Sequence, residues 1–457
     1  MAAAMHGQYL WLPRWRPLLL ATLTLLAEAA QQFAPVRLGF EGVERAFIIG
    51  DLHADIHCAE FWVRRSGLVD VDAWNWTGEP NDALVFLGDY VDKGPHGRQV
   101  LEFVRNLTEA WPDNVLALLG NHDLYFLSDA LFSDGATQLM GSPVHQFVYA
   151  FTHPEEYLNW LPEQLRNDSS THEALHALFQ ALQFVYSHRD EARVMLGHVR
   201  GRKDLFASVP PFNKDRQLAK SVQKQLRTWR RHLVEGLTAS GLADWLAARP
   251  VVAVVGGALV VHGGLPAADL ATVASRRHEH ETLVQALDAA TTGAFRQLWQ
   301  RPQDGGAADF GRLEWGLENA ELIHEAVTFR GYHGGRHGGA NPCGEVESVL
   351  KLLRPETGVE LIVVGHTPGD SVRLSCGRKL VAADSSLSRY FRAFGNLYCP
   401  VGTEVGRPSS SGCDAPISET CEGHASRLFR TNSGWRLEPV PAGHAGDSST
   451  AAGRNEF

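Results

Sequence analysis

The chain has 457 residues, 44% of them apolar, so it is long enough for an enzyme domain with insertions and too apolar for a largely disordered protein. Its formal net charge of -10, from 42 Lys and Arg against 52 Asp and Glu, argues against a nucleic-acid-binding surface, which needs clustered positive charge. An acidic protein that binds an anion needs concentrated local positive charge, and bound metal ions supply it without a basic surface.

The first 29 residues predict a secretory signal peptide. Arg14 and Arg16 precede an apolar run over 18–27, and Ala27-Glu28-Ala29 offers a cleavage site between small residues. The run is about half as long as a membrane-spanning helix, which disfavours an uncleaved anchor. We therefore expect the secretory pathway, either the ER or Golgi lumen or the outside of the cell, with no stable membrane span after cleavage.

Sequons and cysteines are compatible with that compartment. The three N-x-S/T sequons, compatible with a glycoprotein, are at Asn75, Asn106 and Asn167. Six cysteines are an even number, and their spacing matches no zinc-binding template. The sequence leaves their pairing open. We expect disulfides among the last five, Cys343, Cys376, Cys399, Cys413 and Cys421, with at most a local closure between Cys413 and Cys421.

Seven short apolar runs of strand length predict core strands, because each ends at a polar cluster. They cover 46–49, 83–87, 115–119, 251–255, 259–261, 361–364 and 380–382. Helical patterns over 57–66 and 97–109 separate the first three runs. The first third of the chain is therefore typical of strand-helix-strand units in an α/β fold.

Residues 124–250 predict a mostly helical insertion, with breaks at 167–170 and at Pro210-Pro211. Such an insertion forms a lid over the substrate or a helical buttress, and the sequence does not decide between the two.

A second helical stretch over 267–299 leads to a loop and a Gly/His-rich segment, in which His333 and His337 are more typical of solvated side chains than of a metal site. The main domain is predicted over 40–400. The segment 401–457 contains cysteines and is predicted to end in a disordered tail beyond Val440.

Polar clusters at the carboxyl ends of the predicted strands indicate a ligand site. They are Gly50-Asp51-Leu52-His53, Gly88-Asp89-Tyr90-Val91-Asp92, Gly120-Asn121-His122-Asp123, His262-Gly263-Gly264 and Gly365-His366-Thr367. Loops at this edge of an α/β sheet converge over one crevice. Each cluster alone is typical of a turn or a helix cap, but five in this order favour a shared site.

Carboxylate, amide and imidazole ligands without thiolate fit two divalent ions, Mn, Fe or Zn. The expected ligands of the first ion are Asp51, His53 and Asp89. Those of the second are Asp89, Asn121, His262 and His366. Asp89 would bridge the pair at about 3.5–4 Å, and a hydroxide shared by the ions would attack a phosphoester in line.

Neighbours of the ligands predict an acid pair. His122 follows Asn121 and is expected to face the ions without binding them, as general acid for the leaving oxygen. Asp92 is expected to orient His122, and Lys93 to add positive charge for the phosphate.

These ordered motifs resemble the calcineurin-like metallophosphoesterases over residues 47–398, which implies a β-sandwich flanked by helices, here with a large helical insertion. The segment 88–94 and His262-Gly263-Gly264 are similar to serine/threonine phosphoprotein phosphatases. The whole resembles their Shewanella-like, bacterial-type branch, through 50–55, Trp299-x-Arg301 and 364–368. The resemblance suggests Arg301 as a second phosphate-binding residue, with a surface salt bridge as the alternative.

Three departures from the family pattern matter: Ala54 replaces Gly, Asp123 replaces Glu and Lys93 replaces Arg. Arg binds phosphate through two N–H groups of its planar guanidinium, whereas the ammonium of Lys is a compact point charge. Lys at this position therefore weakens the case for a protein substrate. The Asp-Lys-Gly-Pro and Gly-Asn-His-Asp motifs are also similar to diadenosine-polyphosphate hydrolases.

The expected function is a metal-dependent phosphatase for phosphomonoesters, with phosphoproteins as first candidates. The alternatives are a nucleotide or dinucleoside polyphosphate hydrolase and an inactive scaffold of the same fold.

Overall fold

The computed structural model describes residues 39–40, 42–131, 152–187, 210–279, 281–294, 296, 314–334, 340–392, 417–432 and 434–443. All of them lie within the unit that spans Leu38–Phe457. The predicted signal peptide, Arg301, His337 and the tail beyond residue 443 lie outside the described residues.

Thirteen strands are present in the described residues. In chain order they are β1 (Gly39–Phe40), β2 (Arg45–Ile49), β3 (Val69–Asp70), β4 (Asn75–Trp76), β5 (Asp82–Phe86), β6 (Val115–Ala117), β7 (Val252–Val255), β8 (Ala258–Val261), β9 (Leu361–Val364), β10 (Arg373–Ser375), β11 (Leu380–Ala382), β12 (His424–Thr431) and β13 (Gly434–Pro441). All seven predicted strands are among them.

The strands form two large sheets and one small hairpin. The first sheet has the order β1-β7-β8-β9-β11-β10, the second the order β13-β12-β2-β5-β6, and β3 pairs with β4. Strands β2, β5 and β6 are parallel to one another, as are β8, β9 and β11. Their carboxyl ends therefore lie at one edge within each sheet.

In the central strands of each sheet, side chains on both faces are buried. Ile48, Val85 and Val260 share the apolar core between the sheets. Their neighbours Phe47 and Leu84 belong to the core on the helical side. Burial on both faces explains why these strands are continuous apolar runs rather than alternating ones. The predicted α/β sandwich with flanking helices is confirmed.

The helices pack outside the sheets. They are α1 (Ile56–Ser66), α2 (Gly97–Ala110), α3 (Asn121–Leu131), a 3-10 helix (Pro154–Trp160), α4 (Glu163–Arg166), α5 (Ser169–Ser187), α6 (Arg216–Ala239), α7 (Leu242–Ala247), α8 (Ala267–Arg276), α9 (Leu283–Asp288) with a π-helical extension (Ala289–Gly293), α10 (Glu314–Thr328), α11 (Pro342–Thr357) and α12 (Arg389–Arg392). The described parts of the predicted insertion are thus mostly helical. Within the described ranges, no helix is both long and apolar enough to cross a bilayer.

The C-terminal boundary predicted at residue 400 is too early. Strand β12 pairs with the central strand β2, and β13 pairs with β12, so the second sheet continues to Pro441. Leu428 of β12 is buried in the core between the sheets. The C-terminal hairpin is therefore part of the domain.

The disulfides agree with the prediction only in part, since Cys343 and Cys376 are two of the five expected cysteines but Cys58 is not. Cys58 of α1 is bonded to Cys421, directly before the C-terminal hairpin, and Cys343 is bonded to Cys376. The expected local closure between Cys413 and Cys421 is wrong, because Cys421 is joined to a cysteine 363 residues earlier. That partner was not among the five expected to pair.

Candidate metal centre

Loops from both sheets bring the predicted ligands together. Asp51, Asp89 and Asn121 follow β2, β5 and β6 of the second sheet, whereas His262 and His366 follow β8 and β9 of the first. All six predicted ligands are buried, namely Asp51, His53, Asp89, Asn121, His262 and His366. The two most distant segments, at His262 and His366, thus reach the same edge as the first three.

The carboxylate of Asp89 lies at the middle of this group. Its Oδ2 is 3.8 Å from Nε2 of His53, and its Oδ1 is 3.4 Å from Nε2 of His262. The same nitrogen of His53 lies 4.0 Å from Oδ2 of Asp51. The two oxygens of Asp89 therefore face two different sets of ligand atoms, which is the arrangement of a bridging carboxylate.

The second set of ligand atoms, from His262 and His366, lies next to the amide oxygen of Asn121. Its Oδ1 is 3.0 Å from Nε2 of His262 and 2.9 Å from Nδ1 of His366. Asp89, His262 and His366 each have one ligand atom within 4.8 Å of those of the other two. The same holds for His53, Asp89 and His122. Both groups have the dimensions of an ion site.

Hydrogen bonds behind the imidazoles test whether these residues suit metal ions. Nδ1 of His262 is 2.7 Å from the carbonyl of Leu87, and Nδ1 of His53 is 3.4 Å from that of Val91. A carbonyl only accepts, so each Nδ1 carries the proton and each Nε2 presents a lone pair. The lone pair of His262 then faces the oxygen of Asn121. Either a proton or a metal ion on Nε2 satisfies this contact, and the imidazole, amide and carboxylate groups present fit divalent ions.

The pKa shifts of His262 and Asp89 also indicate that the centre favours a cation. Burial opposes protonation of His262, but the carboxylates of Asp89 and Asp51 outweigh it and raise its pKa to about 10. Burial alone would raise the pKa of Asp89, yet the imidazoles of His262 and His122 hold it well below its usual range. Positive charge at this place is therefore favourable, and a proton on His262 supplies it in the metal-free chain.

Backbone strain is concentrated at the same place. Five non-glycine residues of the site have left-handed φ angles: His53 (42°), Asp89 (57°), Asp92 (66°), Lys93 (72°) and His366 (61°). Each such residue costs on the order of 1–3 kcal/mol, and strain of this kind gathers at functional sites.

Asp123 holds the strained loop. Its buried carboxylate accepts the backbone N–H groups of Asp89, Tyr90 and Gly120 at 2.8–2.9 Å. Burial and the charge of Asp89 raise the pKa of Asp123 to about 7. This departure from the family pattern thus keeps a carboxyl group, on a shorter side chain, that fixes the position of Asp89.

The two residues of the predicted acid pair are hydrogen-bonded to each other. Nδ1 of His122 is 2.8 Å from Oδ2 of Asp92, and the backbone N–H of His122 donates to Oδ1 of Asp89 at 2.8 Å. The hydroxyl of Thr152 donates to the other oxygen of Asp92 at 2.9 Å. Sequence reasoning missed Thr152, because nothing local marks one threonine of a long insertion.

Asp384 was also missed. It lies two residues after β11, is buried, and is hydrogen-bonded to Asp51. Burial raises the pKa of Asp384 and, together with the charge of Asp384, the pKa of Asp51. The signal was available, since Asp384 belongs to a polar cluster directly after a predicted strand.

Two described cations accompany the centre. Lys93 is buried, and it follows Asp92 directly. Arg330, which sequence reasoning missed, is half-buried, and its charge interacts with Asp51, Asp384 and Asp89. Its Nη1 donates to Oγ1 of Thr367, next to the ligand His366. Arg330 lies directly before the Gly/His-rich segment, which was marked only for its histidines.

The family model described as "Calcineurin-like phosphoesterase" matches residues 45–211, which contain Asp51, His53, Asp89, Asp92, Asn121 and His122. This confirms the resemblance found in the motifs. The segment 45–211 is thus similar to the calcineurin-like phosphoesterases, and it carries four of the six predicted metal ligands.

Two kinds of curated relative match short segments. A "Bis(5'-nucleosyl)-tetraphosphatase, symmetrical" of Nitrosospira multiformis is 36% identical over 86 residues, covering 19% of this chain and 29% of that protein. A "Shewanella-like protein phosphatase 2" of Arabidopsis thaliana is 33% identical over 88 residues, covering 19% and 22%. The chain thus matches less than a third of the length of either relative.

Among solved structures, the cold-active protein-tyrosine phosphatase of a psychrophilic Shewanella species is similar to the chain. The identity is 16% and the TM-score 0.43, with 89% of this chain and 83% of that chain covered.

Proposed function

We propose that the chain is a two-metal phosphatase that hydrolyses phosphomonoesters, with phosphoproteins as its first candidate substrates. The observation that carries the proposal is the position of Asp89, whose two oxygens face separate groups of ligand atoms at 3.4 and 3.8 Å. A carboxylate placed in this way is suited to two adjacent divalent ions. Asp51, His53, Asn121, His262 and His366 complete the ligand set.

Other residues of the chain would protonate the leaving oxygen and bind the phosphate group. When bound, the ions would activate a water and offset the charge of the phosphoryl oxygens. His122, hydrogen-bonded through Nδ1 to Asp92, would deliver a proton to the leaving oxygen. Arg330 and Lys93 are the described cations placed to bind the phosphate group.

Dinucleoside polyphosphates are the second candidate substrates. The bis(5'-nucleosyl)-tetraphosphatase of Nitrosospira multiformis matches at 36% identity. Lys93 at the position of the usual Arg supports the same alternative. The Shewanella-like phosphatase of Arabidopsis thaliana, at 33% identity, supports the first candidate. Each relative's name describes that relative, so the substrate of this chain has to be measured.

A substrate panel separates the two candidates. The purified chain would be loaded in turn with Mn, Fe and Zn, and phosphate release measured from phosphoserine, phosphothreonine and phosphotyrosine peptides and from diadenosine tetraphosphate. Turnover of phosphopeptides alone supports a phosphoprotein phosphatase, whereas turnover of the dinucleotide alone overturns it. His122→Asn is expected to keep bound metal and lose turnover. If neither the wild type nor any metal form hydrolyses a phosphoester, the chain is the inactive scaffold.

We propose a secretory location for the chain. Its two described disulfides are typical of an oxidising compartment, and the sequon residues Asn75, Asn106 and Asn167 are all exposed. The test is a glycosidase digestion of the protein from its native source. A mass shift with intact disulfides supports the location, and fully reduced cysteines without glycan refute it.

A further inference from the structure

A side chain of the helical insertion, that of Thr152, contacts the acid pair of His122 and Asp92. Thr152 is 3% exposed, and its hydroxyl donates to Oδ1 of Asp92 at 2.9 Å. The other oxygen of the same carboxylate lies 2.8 Å from Nδ1 of His122. Asp92 is therefore held from two sides, by the residue that it orients and by a residue 60 positions further along the chain.

The position of Thr152 is set by the 3-10 helix that follows it. Glu156 in this helix accepts the backbone N–H groups of Gly97 and Arg98, at 2.7 and 2.9 Å, at the start of α2. Asn159 donates to the carbonyl of Pro95 at 2.6 Å. These contacts fasten the insertion to the residues that directly follow Asp92 and Lys93. The segments that carry Thr152 and Asp92 are therefore joined by several hydrogen bonds besides the one between these two residues.

We infer that Thr152 is a positioning residue, which fixes the rotation of the Asp92 carboxylate and thereby the orientation of the His122 ring. A carboxylate held by His122 alone can rotate about its Cβ–Cγ bond. The added hydrogen bond from Thr152 removes that freedom and satisfies a buried acceptor. The inference rests on the proposed function, since orienting His122 matters only if His122 protonates a leaving oxygen. It assigns the insertion a role in the chemistry, which neither a lid nor a passive buttress would have.

Two substitutions isolate the hydroxyl. Thr152→Val removes it with little change of shape, and Thr152→Ser keeps it. Turnover would be measured at saturation on aryl phosphates whose leaving groups range from 4-nitrophenol to phenol. Poor leaving groups depend most on the general acid. Thr152→Val should therefore lose about tenfold on phenyl phosphate and less than about twofold on 4-nitrophenyl phosphate, with KM unchanged. Thr152→Ser should restore the wild-type pattern.

A matched control is Thr291→Val, since Thr291 is a buried threonine whose hydroxyl donates to Leu287 in the π-helical turn. It is expected to leave the dependence on leaving group unchanged. The inference is overturned if Thr152→Val lowers turnover equally on every substrate, or if Thr152→Ser behaves like Thr152→Val.

A second readout does not require activity. In histidine-labelled protein, the proton between Nδ1 of His122 and Asp92 should give a downfield NMR resonance in the wild type and in Thr152→Ser, and should be lost in Thr152→Val. An unchanged resonance in Thr152→Val overturns the inference. A wild type that hydrolyses no phosphoester overturns the proposed function instead, and the resonance still tests whether Thr152 holds the pair.

Discussion

Replacing the bridging residue, Asp89→Asn, should remove the two ions unequally. The backbone N–H of His122 donates to Oδ1 of Asp89 at 2.8 Å, so an amide at this position would keep its oxygen on that side. Its NH2 group would then replace Oδ2, which lies 3.8 Å from Nε2 of His53. A donor cannot serve as a metal ligand. We therefore expect the ion at Asp51 and His53 to be lost first, and bound metal to fall from about two equivalents to about one.

The loss of turnover follows from the role of the side chain. Replacing even an outer-shell partner of a metal ligand typically costs about 10–100-fold. A directly bridging ligand should cost at least about a hundredfold, or about 2.7 kcal/mol in the activation barrier. Elemental analysis after dialysis measures the metal, and phosphate release at saturating substrate measures turnover. The control is Asp72→Asn, which removes an exposed carboxylate paired with Arg64. An Asp89→Asn protein that retains both ions and turns over within about threefold of wild type would refute the bridging geometry.

Two further predictions concern stability. Arg389→Met should lower the free energy of unfolding by about 3 kcal/mol in urea, because the guanidinium of Arg389 donates to both oxygens of the buried Asp55 and its loss leaves that charge uncompensated. His153→Asn should reduce the sensitivity to acid, because burial lowers the pKa of His153 to about 3. Below pH about 6.5 the unfolded state protonates His153 and the folded state does not. The free energy of unfolding therefore decreases as the pH is lowered. The wild type should lose about 2 kcal/mol more than the variant between pH 7 and pH 5.

Surface substitutions provide the controls for these stability measurements. Arg64→Met breaks an exposed ion pair and should change stability by less than about 1 kcal/mol. His172→Asn replaces an exposed histidine and should leave the dependence on pH as in the wild type. Equal effects of Arg389→Met and Arg64→Met would contradict the argument for the buried pair. A His153→Asn protein with undiminished acid sensitivity would contradict the stated cause.

Much of the site was predictable because its signals are local. Each ligand follows a short apolar run by a few residues, and a strand buried on both faces must be continuously apolar. Asp51, His53, Asp89 and Asn121 each lie within four residues of the end of a predicted strand. The same reasoning applied to the run at 380–382 would have found Asp384. His262 and His366 were predicted on the same pattern, although only the parallel arrangement of β8 and β9 brings them to Asn121.

What the sequence by itself determined is the order of the strands along the chain and the chemistry at their ends, because both depend on residues a few positions apart. Tertiary structure alone decided the contacts between distant segments. It joined Cys58 to Cys421, added the C-terminal hairpin to β2, and placed Thr152 on Asp92. Such contacts arise from the packing of whole elements, and no local pattern of residues encodes which elements will meet.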